Sequence, residues 1–334
     1  MNQREIAKLA GVSVATVSRV INHDPNVSQK TRDKVSHILA QQSYVTNINA
    51  RNLRMTHTKT VGFLISTFSN PYFISIYEGL EEICKQHGYN ILIGITNEDS
   101  KTQQEAIEML LSYKVCGIVG SFVTMNSSTM EKMRKMCDFV ISIDRFIKGM
   151  DSDLVCVDNE FGGYEQVRLA AEYGHKKIAV IHGKEDSVGI ERLRGYRTAM
   201  EKYGCPIRQE YMLSGDYIEE PAYMSTLSLL SLPDPPTVIV AHNNLMTIGA
   251  FKAIKDLQRR IPEDISLIGF DDFLLAEYLS PGITLIQHPA YEVGKIAAKI
   301  LFARLDDSLP KEPQRIMLPL KLVIRESCGI LSRG

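Results

Sequence analysis

No apolar stretch in this chain approaches the ~18 residues needed to cross a bilayer, so nothing in it reads as a membrane span. The N-terminus, MNQREIAKLAG, lacks the basic-then-apolar layout of a secretory signal, which points to the cytoplasm. Six cysteines (Cys84, Cys116, Cys137, Cys156, Cys205, Cys328) stand singly, with no CxxC pair and no histidine cluster beside them. They read as buried free thiols rather than metal ligands or a redox centre. The catalytic motifs are missing too: no GxSxG elbow, no GxxxxGK[ST] phosphate loop, no HExxH and no GxGxxG. Gly183-Lys184 has neither the upstream glycine nor the following hydroxyl residue of a phosphate loop, and the eight histidines are dispersed. His175, in GHKK, reads as a polar residue opening a strand. No enzyme activity, cofactor or metal is expected, and no repeat or low-complexity tract is visible.

Net charge is nearly absent as well: 38 Lys+Arg against 39 Asp+Glu leave -1 over 334 residues. As a whole-chain number this argues against a nucleic-acid partner, but it conceals a split. Residues 1–60 carry nine basic residues (Arg4, Lys8, Arg19, Lys30, Arg32, Lys34, Arg51, Arg54, Lys59) and three acidic ones (Glu5, Asp24, Asp33), a net of +6, so the remainder carries -7. A length of two or three domains, with a basic head and an acidic body, suggests one small unit for a polyanion and one large unit for something else.

In the head, Asn2 with Glu5 three positions later opens a helix from Gln3 to Ala10, with Ile6, Leu9 and Ala10 expected on its buried face. Gly11 breaks it, and Ser13 caps a second helix, Val14 to Ile21. A third begins at Ser28 after the turn at Asn22-His23-Asp24-Pro25 and buries Val35, Ile38 and Leu39. Helix, glycine turn, helix is the helix-turn-helix arrangement. If Val17, Val20 and Ile21 face inward, then Ser13, Val14, Ala15, Ser18, Arg19 and Asn22 face outward. The short Val14 and Ala15 let the helix N-terminus approach base edges and touch a thymine methyl, and Arg19 is placed for guanine O6 and N7. Ser13, Thr16 and Asn22 suit phosphates. The competing reading is an exposed helix in a protein-interaction module.

The run IAKLAGVSVATVSRVINHDPNVSQKTRDKV resembles the DNA-binding head of the LacI/GalR family of bacterial repressors. The similarity continues through Tyr44 and NINARNLR (Asn47 to Arg54), which resembles the family's hinge; Val45-Thr46 stand where the family usually has Arg-Pro. The resemblance implies a hinge that folds on operator DNA, with Ser28, Tyr44, Asn47 and Ala50 at the DNA and Leu53 wedged into the minor groove beside its symmetry mate. Ten of the fourteen residues from Thr46 to Lys59 are polar, so the segment is marginal as an isolated helix and suited to folding on binding.

After Thr60 short apolar runs alternate with amphipathic helices. Val61–Ile65, Ile91–Ile95, Gly117–Gly120, Phe139–Ile143, Ile178–Ile181, Thr237–Ala241 and Ser266–Phe270 read as strands, and Ile74–Lys85, Thr102–Leu111, Gly162–Tyr173, Ile190–Tyr203, Pro221–Leu230 and Leu245–Leu257 as helices. The fold class expected is therefore an α N-terminal helix-turn-helix domain plus, by the resemblance, an α/β two-lobed effector domain like a periplasmic binding protein. The boundaries expected are a head at 1–45, a hinge at 46–59 and a core at 60–334. Lobe one takes about 60–157 plus 290–318, and lobe two about 158–288 plus 319–334.

Carried over motif by motif, the resemblance places an effector pocket between the lobes. SNPYF supplies Tyr72 and Phe73, IDR supplies Arg145, ERLRGY supplies Arg192 with Arg194 facing elsewhere, GDY supplies Tyr217, AHNNLMTIG supplies Asn243, and GFDD supplies Asp271. Arginine, amide and carboxylate are what a polyol needs for paired hydroxyl bonds, and an aromatic covers its apolar face. Plainer roles stay open: core aromatics for Tyr72 and Phe73, a mutual bridge for Arg192 and Asp271, an interdomain bridge for Arg145. Asn244, where the family usually has Asp, reads as a helix cap, and His242 as a modifier of pocket size. Asp158-Asn159 with Gly162-Gly163 is assigned to the lobe crossover and helix start. The function expected is a sequence-specific regulator, by family a repressor or activator, that binds a pseudo-palindromic operator as a homodimer and responds to a sugar or sugar derivative. A purine, a nucleoside or a phosphocarrier protein is the alternative signal within the same fold. A plain cytosolic binding protein and an enzyme on this fold are the readings from other classes.

Overall fold

Three helices build the N-terminal unit: α1 (Gln3–Ala10), α2 (Val14–Ile21) and α3 (Gln29–Gln41). Gly11, at φ +62, ends α1 in a left-handed conformation that favours glycine, and the Ser13 hydroxyl then accepts the Thr16 amide at 3.0 Å to cap α2. Ile6, Ala7, Ala10, Val17, Val20 and Val35 form the core, with Ile21, Ile38 and Leu39 packed at its edge. One expectation fails: Leu9 is 57% exposed and Ala7 is buried instead. At 100° per residue the two flank the Ile6–Ala10 line on opposite sides, and the smaller side chain faces the bundle. In this computed structural model the described residues are 3–21, 24–41 and 58–331, and the chain divides into two compact units, 1–56 and 57–334. The assignments to Asn22, Tyr44, Asn47, Ala50 and Leu53 lie outside the described residues.

The body contains two six-stranded sheets. Strands β1 (Thr60–Ile65), β2 (Asn90–Ile95), β3 (Ile118–Gly120), β4 (Val140–Ile143), β5 (Asp153–Val157) and β11 (Arg315–Leu318) form the first, all parallel, in the order β11-β5-β4-β3-β1-β2. Strands β6 (Ile178–His182), β7 (Met212–Ser214), β8 (Val238–Ala241), β9 (Ser266–Phe270), β10 (Thr284–Gln287) and β12 (Lys321–Val323) form the second, in the order β12-β10-β9-β8-β6-β7, with only β12 antiparallel to its neighbour. The central strands are buried along their length, as parallel strands covered by helices on both faces must be, which is why they read as unbroken apolar runs.

The chain crosses between the sheets three times. It leaves β5 for the helix Asn159–Glu172 and the second sheet, and after β10 returns through the helix Ala290–Leu305, whose Val293, Ala297 and Leu301 join the first core. It adds β11 to the first sheet and ends with β12 on the second. The expected architecture is found. Six of the body helices begin at side-chain caps, those of Asn70, Asp99, Asn126, Asp158, Asp186 and Asn243. Pro71–Gln86, for example, starts where Asn70 Oδ1 accepts the Tyr72 amide at 3.0 Å, with Pro71 at its first position. Strands β5, β7, β10 and β11 and the helix Ser127–Met136 add to the elements read from the sequence.

One helix crossing positions the site. Helices Asn159–Glu172 and Ser187–Lys202 meet at reciprocal glycines: a Cβ on Gly163 would lie 2.1 Å from the Arg192 carbonyl oxygen, and one on Gly195 would lie 1.9 Å from that of Glu160. Only glycine allows the two backbones to touch there, and the contact fixes the main chain of Arg192.

Candidate nucleic-acid interface and effector site

On the head, α2 turns Ser13, Val14, Ala15 and Arg19 to the surface, with Thr16 and Ser18 half-buried. Ser13 Oγ lies 2.8 Å from the Thr16 hydroxyl, and Ser28 caps α3 through the Thr31 amide at 3.4 Å and its hydroxyl at 2.9 Å. Each of these serines is therefore held at a helix N-terminus. Arg19 is held only loosely, its Nε 3.9 Å from Asp24, and is free to extend. Arg32 is spent internally, donating to the carbonyls of Asp24 at 2.8 Å and Val27 at 3.4 Å.

In the body, the loops at the carboxyl ends of the parallel strands, together with the helix N-termini that follow them, surround a cavity of about 300 Å³, the usual place for a ligand in such sheets. Tyr72 and Phe73 come from the first turn of Pro71–Gln86, Arg145 follows β4, Tyr217 follows β7, Asn243 follows β8 and Asp271 follows β9, while Arg192 projects from Ser187–Lys202. All seven line this one cavity. Arg194 does not: it pairs with Glu160 on the surface.

Arg192 is buried, with two of its three guanidinium nitrogens hydrogen-bonded. Its guanidinium stacks 3.6 Å from the Phe270 ring, Nε donates to Asn159 Oδ1 at 2.9 Å, and Nη1 donates to the His242 carbonyl. Asp271 faces it, with Oδ2 3.5 Å from Nη1. Burial pushes the Asp271 carboxyl above the ordinary carboxylate range, and Arg192 only partly offsets this. Asp271 Oδ1 is completely buried and has no hydrogen-bond partner. The two residues do form a bridge, but one that leaves an Asp271 acceptor without a donor.

A second group at the cavity was not singled out in the sequence. Asp144, at φ +62 directly after β4, accepts the Tyr72 hydroxyl and lies 3.4 Å from His288 Nε2, which is itself 3.2 Å from the Tyr72 oxygen. Burial pushes the Asp144 carboxyl up, but hydrogen bonds from His288 and Tyr72 and the Arg192 charge outweigh this, and its pKa falls below the usual value. Burial and the neighbouring Asp144 hold the Tyr72 phenol well above its usual range. His288 sits on the crossover between β10 and Ala290–Leu305. The available signal was positional: Asp144 directly follows a strand of the first sheet, as Asp271 does in the second, and both take positive φ.

Arg145 spans the lobes. Nη1 donates to Glu98 at 2.8 Å in the first lobe, Nη2 lies 3.1 Å from Asp186 in the second, and the guanidinium stands over the Tyr217 ring. Despite burial, the two carboxylates hold its charge firmly. Of the two roles weighed for it, the interdomain bridge is the one formed here. The capping role expected of Asn244 falls to Asn243, which lines the cavity as well. Asn243 Oδ1 caps the helix Asn244–Asp256 through the Met246 amide at 2.8 Å, leaving Nδ2, 3.4 Å from the Tyr217 carbonyl. Asn244 instead reaches across the cleft to Asn70 at 2.9 Å. His242 is fully buried and does not line the cavity, so it does not set the pocket's size directly. Asp158 caps the next helix through the Phe161 amide at 2.8 Å, while Asn159 holds Arg192.

The six cysteines are all buried and free, and burial raises each thiol's pKa. His175, three residues before β6, is satisfied by Thr237 at 2.9 Å and the Gly329 carbonyl at 3.0 Å. No helix among the described residues is long and apolar enough to cross a membrane.

Residues 3–47 match the family profile of bacterial regulatory proteins of the lacI family, and residues 167–328 match that of the periplasmic binding protein-like domain. The ribose operon repressor of Haemophilus influenzae is 32% identical over 326 residues, and the HTH-type transcriptional repressor PurR of Vibrio vulnificus is 33% identical over 330; in each case 97% of both chains is covered. Among solved structures, the lac repressor dimer bound to operator and the anti-inducer ONPF has a TM-score of 0.83 at 24% identity over 98% of both chains, a likeness of fold. The CelR–cellobiose complex has a TM-score of 0.73 at 26% identity, covering 98% of this chain and 99% of that one. A helix-turn-helix head joined to a two-lobed ligand-binding body defines a DNA-binding transcriptional regulator under effector control. The chain belongs to the lacI family of bacterial regulatory proteins.

Proposed function

We propose that this protein is a cytoplasmic, homodimeric repressor that reads a pseudo-palindromic operator through Ser13, Val14, Ala15, Thr16, Ser18, Arg19, Asn22 and Ser28. Tyr44, Asn47, Ala50 and Leu53 extend the contact through the hinge. Its effector is a sugar or sugar derivative held by Tyr72, Phe73, Arg145, Arg192, Tyr217, Asn243 and Asp271, and no reaction is assigned to it. The observation that carries the reading is the buried pair of Arg192 and Asp271, 3.5 Å apart at the cavity, with one Asp271 oxygen left without a donor. A guanidinium beside an open carboxylate matches adjacent hydroxyls, which both accept and donate. Relatives named as ribose operon repressor, and a neighbour named as a cellobiose complex, support a sugar. The 33% identity to a relative named PurR, with Phe73 and Tyr217 on the cavity wall, supports a purine as the second reading.

In the sugar reading, ligand bound between the lobes changes their relative angle, and the operator affinity changes with it. The coupling is reciprocal, so the DNA complex must bind the effector with an affinity altered by the same factor. Thermal-shift screening of neutral sugars and purine bases, followed by anisotropy on candidate palindromes with and without the hit, tests this. The expected hit loses its shift in Asp271→Ala and changes operator affinity. A hit unaffected by Asp271→Ala places the effector elsewhere.

A further inference from the structure

Asp186 belongs to none of the motifs that point to the effector, yet three groups meet on it. It caps the helix Ser187–Lys202, where its Oδ1 accepts the Gly189 amide at 2.8 Å, and the same oxygen accepts the Tyr217 hydroxyl at 2.9 Å. The segment that carries it is packed without spare room. A Cβ on Gly183 would lie 2.0 Å from the Tyr217 ring, and one on Gly189 would lie 2.0 Å from the Lys184 carbonyl oxygen. Asp186 therefore ties the helix that bears Arg192 to the aromatic wall of Tyr217, and both residues line the cavity from the second lobe.

The other oxygen of Asp186 faces the first lobe. Its Oδ2 lies 3.1 Å from Arg145 Nη2, and Glu98 aims that guanidinium by accepting from Nη1 at 2.8 Å. Lys184 answers from the second lobe by donating to the Glu98 carbonyl at 3.4 Å, so the clasp runs both ways. An exposed ion pair contributes little, but the Arg145 and Asp186 side chains are only 11% and 23% exposed, and water screens them less. The position of the clasp matters as much as its strength. Arg145 and Glu98 line both the effector cavity and a second recess of about 860 Å³, whereas Asp186 lines only the recess and Tyr217 only the cavity. The pair thus bridges the lobes with open space on either side of it.

We infer that Asp186 is a positioning residue for effector binding: through Arg145 it holds the second lobe's Tyr217 and Arg192 toward the first lobe. It thereby sets the fraction of the protein in which the two walls of the cavity face each other. The inference rests on the cleft reading above, because a ligand that needs both walls binds with an affinity scaled by that fraction.

Two substitutions isolate the pair. In Asp186→Asn the Gly189 amide and the Tyr217 hydroxyl keep the side-chain oxygen on their side, which turns an amide donor toward the Arg145 guanidinium. Arg145→Gln removes the cation and leaves the helix cap in place. The full-length protein is spin-labelled at Glu105→Cys, on the first-lobe helix Ser100–Ser112, and at Glu201→Cys, on the second-lobe helix Ser187–Lys202. Both positions are exposed, and the six native cysteines are buried. Labelled protein is diluted with unlabelled protein, so that the dipolar distance is measured within one chain. One dominant distance is expected in the parent. Each variant is expected to show a longer population grown by about tenfold, and the double variant no more than either single one, because both break the same pair.

Distances unchanged in both variants overturn the inference. A longer population in only one variant does so too, as does one that grows again in the double variant, since the pair is then not what holds the lobes. No effector enters this measurement, so its failure is distinct from that of the cleft reading, which Asp271→Ala tests.

Discussion

Asn244 Nδ2 donates to Asn70 Oδ1 at 2.9 Å, joining the N-terminus of a helix in one lobe to the cap of a helix in the other. The orientation is determined on both sides. Asn70 Oδ1 also accepts the Tyr72 amide at 3.0 Å, so it is the oxygen that faces the cleft, and Asn244 Oδ1 accepts the Leu245 amide at 2.8 Å, which turns its nitrogen outward. The bond is therefore a buried link between lobes that only a donor at position 244 can make.

Asn244→Asp puts a carboxylate oxygen where the donor was, facing the Asn70 oxygen. Breaking a buried hydrogen bond and leaving its acceptor unsatisfied costs about 1–3 kcal/mol. The expected result is a lower urea midpoint and an effector affinity weakened by roughly tenfold, the equivalent of about 1.4 kcal/mol. Equilibrium unfolding and calorimetry check both, and an unchanged midpoint with unchanged affinity would show that the link carries no weight.

Effector binding at Asp271 is expected to depend on pH. Its carboxyl is raised above the ordinary value of 3.8 by burial, so the folded protein binds this proton more tightly than the unfolded chain. The contribution to stability is full below 3.8 and is lost as pH rises through the raised folded value. Ligand hydroxyls donate to the ionised form, so the proton must leave on binding. Effector affinity is expected to be level above the raised value and to fall by up to about tenfold per pH unit below it. Asp271→Asn is expected to abolish that dependence, weaken binding and leave the ligand-free protein at least as stable at pH 7. Wild-type affinity that stays flat between pH 4 and 7 would remove Asp271 as the titrating contact.

How much of this was legible follows from where each residue's neighbours lie along the chain. The head was legible because its information is local: Gly11 at the turn and Ser13 at the cap act within a few positions. The central strands were legible because burial on both faces writes them as apolar runs, as in Val61 to Ile65. Asp144 and His288 were not, because their meaning arises only when residues 144 positions apart meet over Tyr72. Asn243 and Asn244 show the limit most directly. Two adjacent amides are interchangeable in the sequence, and only the backbone direction at the helix start decides which one caps and which one crosses the cleft.

On the head, Arg19 and Lys34 are expected to behave differently. Arg19 is exposed and bound to Asp24 only at 3.9 Å, so it is available to a base edge, whereas Lys34 is exposed on α3 and not on the reading helix. Arg19→Ala is expected to cost about 1–3 kcal/mol on the preferred operator and to relax specificity at one base pair in each half-site. Lys34→Ala is expected to weaken binding evenly across operator variants and to reduce the salt dependence. Anisotropy over a set of single-base operator changes separates the two, and matching profiles would remove Arg19 as the base reader.

Two buried histidines are expected to reduce stability in acid. Burial holds His242 well below the ordinary histidine value of 6.5, with the Arg192 charge adding to the effect, and burial lowers His175 as well. Both are neutral in the fold, and the unfolded chain takes up their protons first. Their contribution is therefore full above about pH 6.5 and is lost as pH falls below it, by about 1.4 kcal/mol per pH unit for each proton. The two differ in what holds them. His242 has both ring nitrogens buried without a partner, while His175 is bonded to Thr237 and the Gly329 carbonyl. His242→Leu is expected to remove one proton from the acid slope and to gain about 1 kcal/mol at pH 5.5, because no hydrogen bond is lost. His175→Leu also removes a proton, but it strands the Thr237 hydroxyl and the Gly329 oxygen and is expected to cost about 1–3 kcal/mol at pH 7.5. Urea midpoints of the three proteins at pH 5.5 and 7.5 decide the matter, and an acid slope unchanged in His242→Leu would show that this histidine is not among the groups that titrate on unfolding.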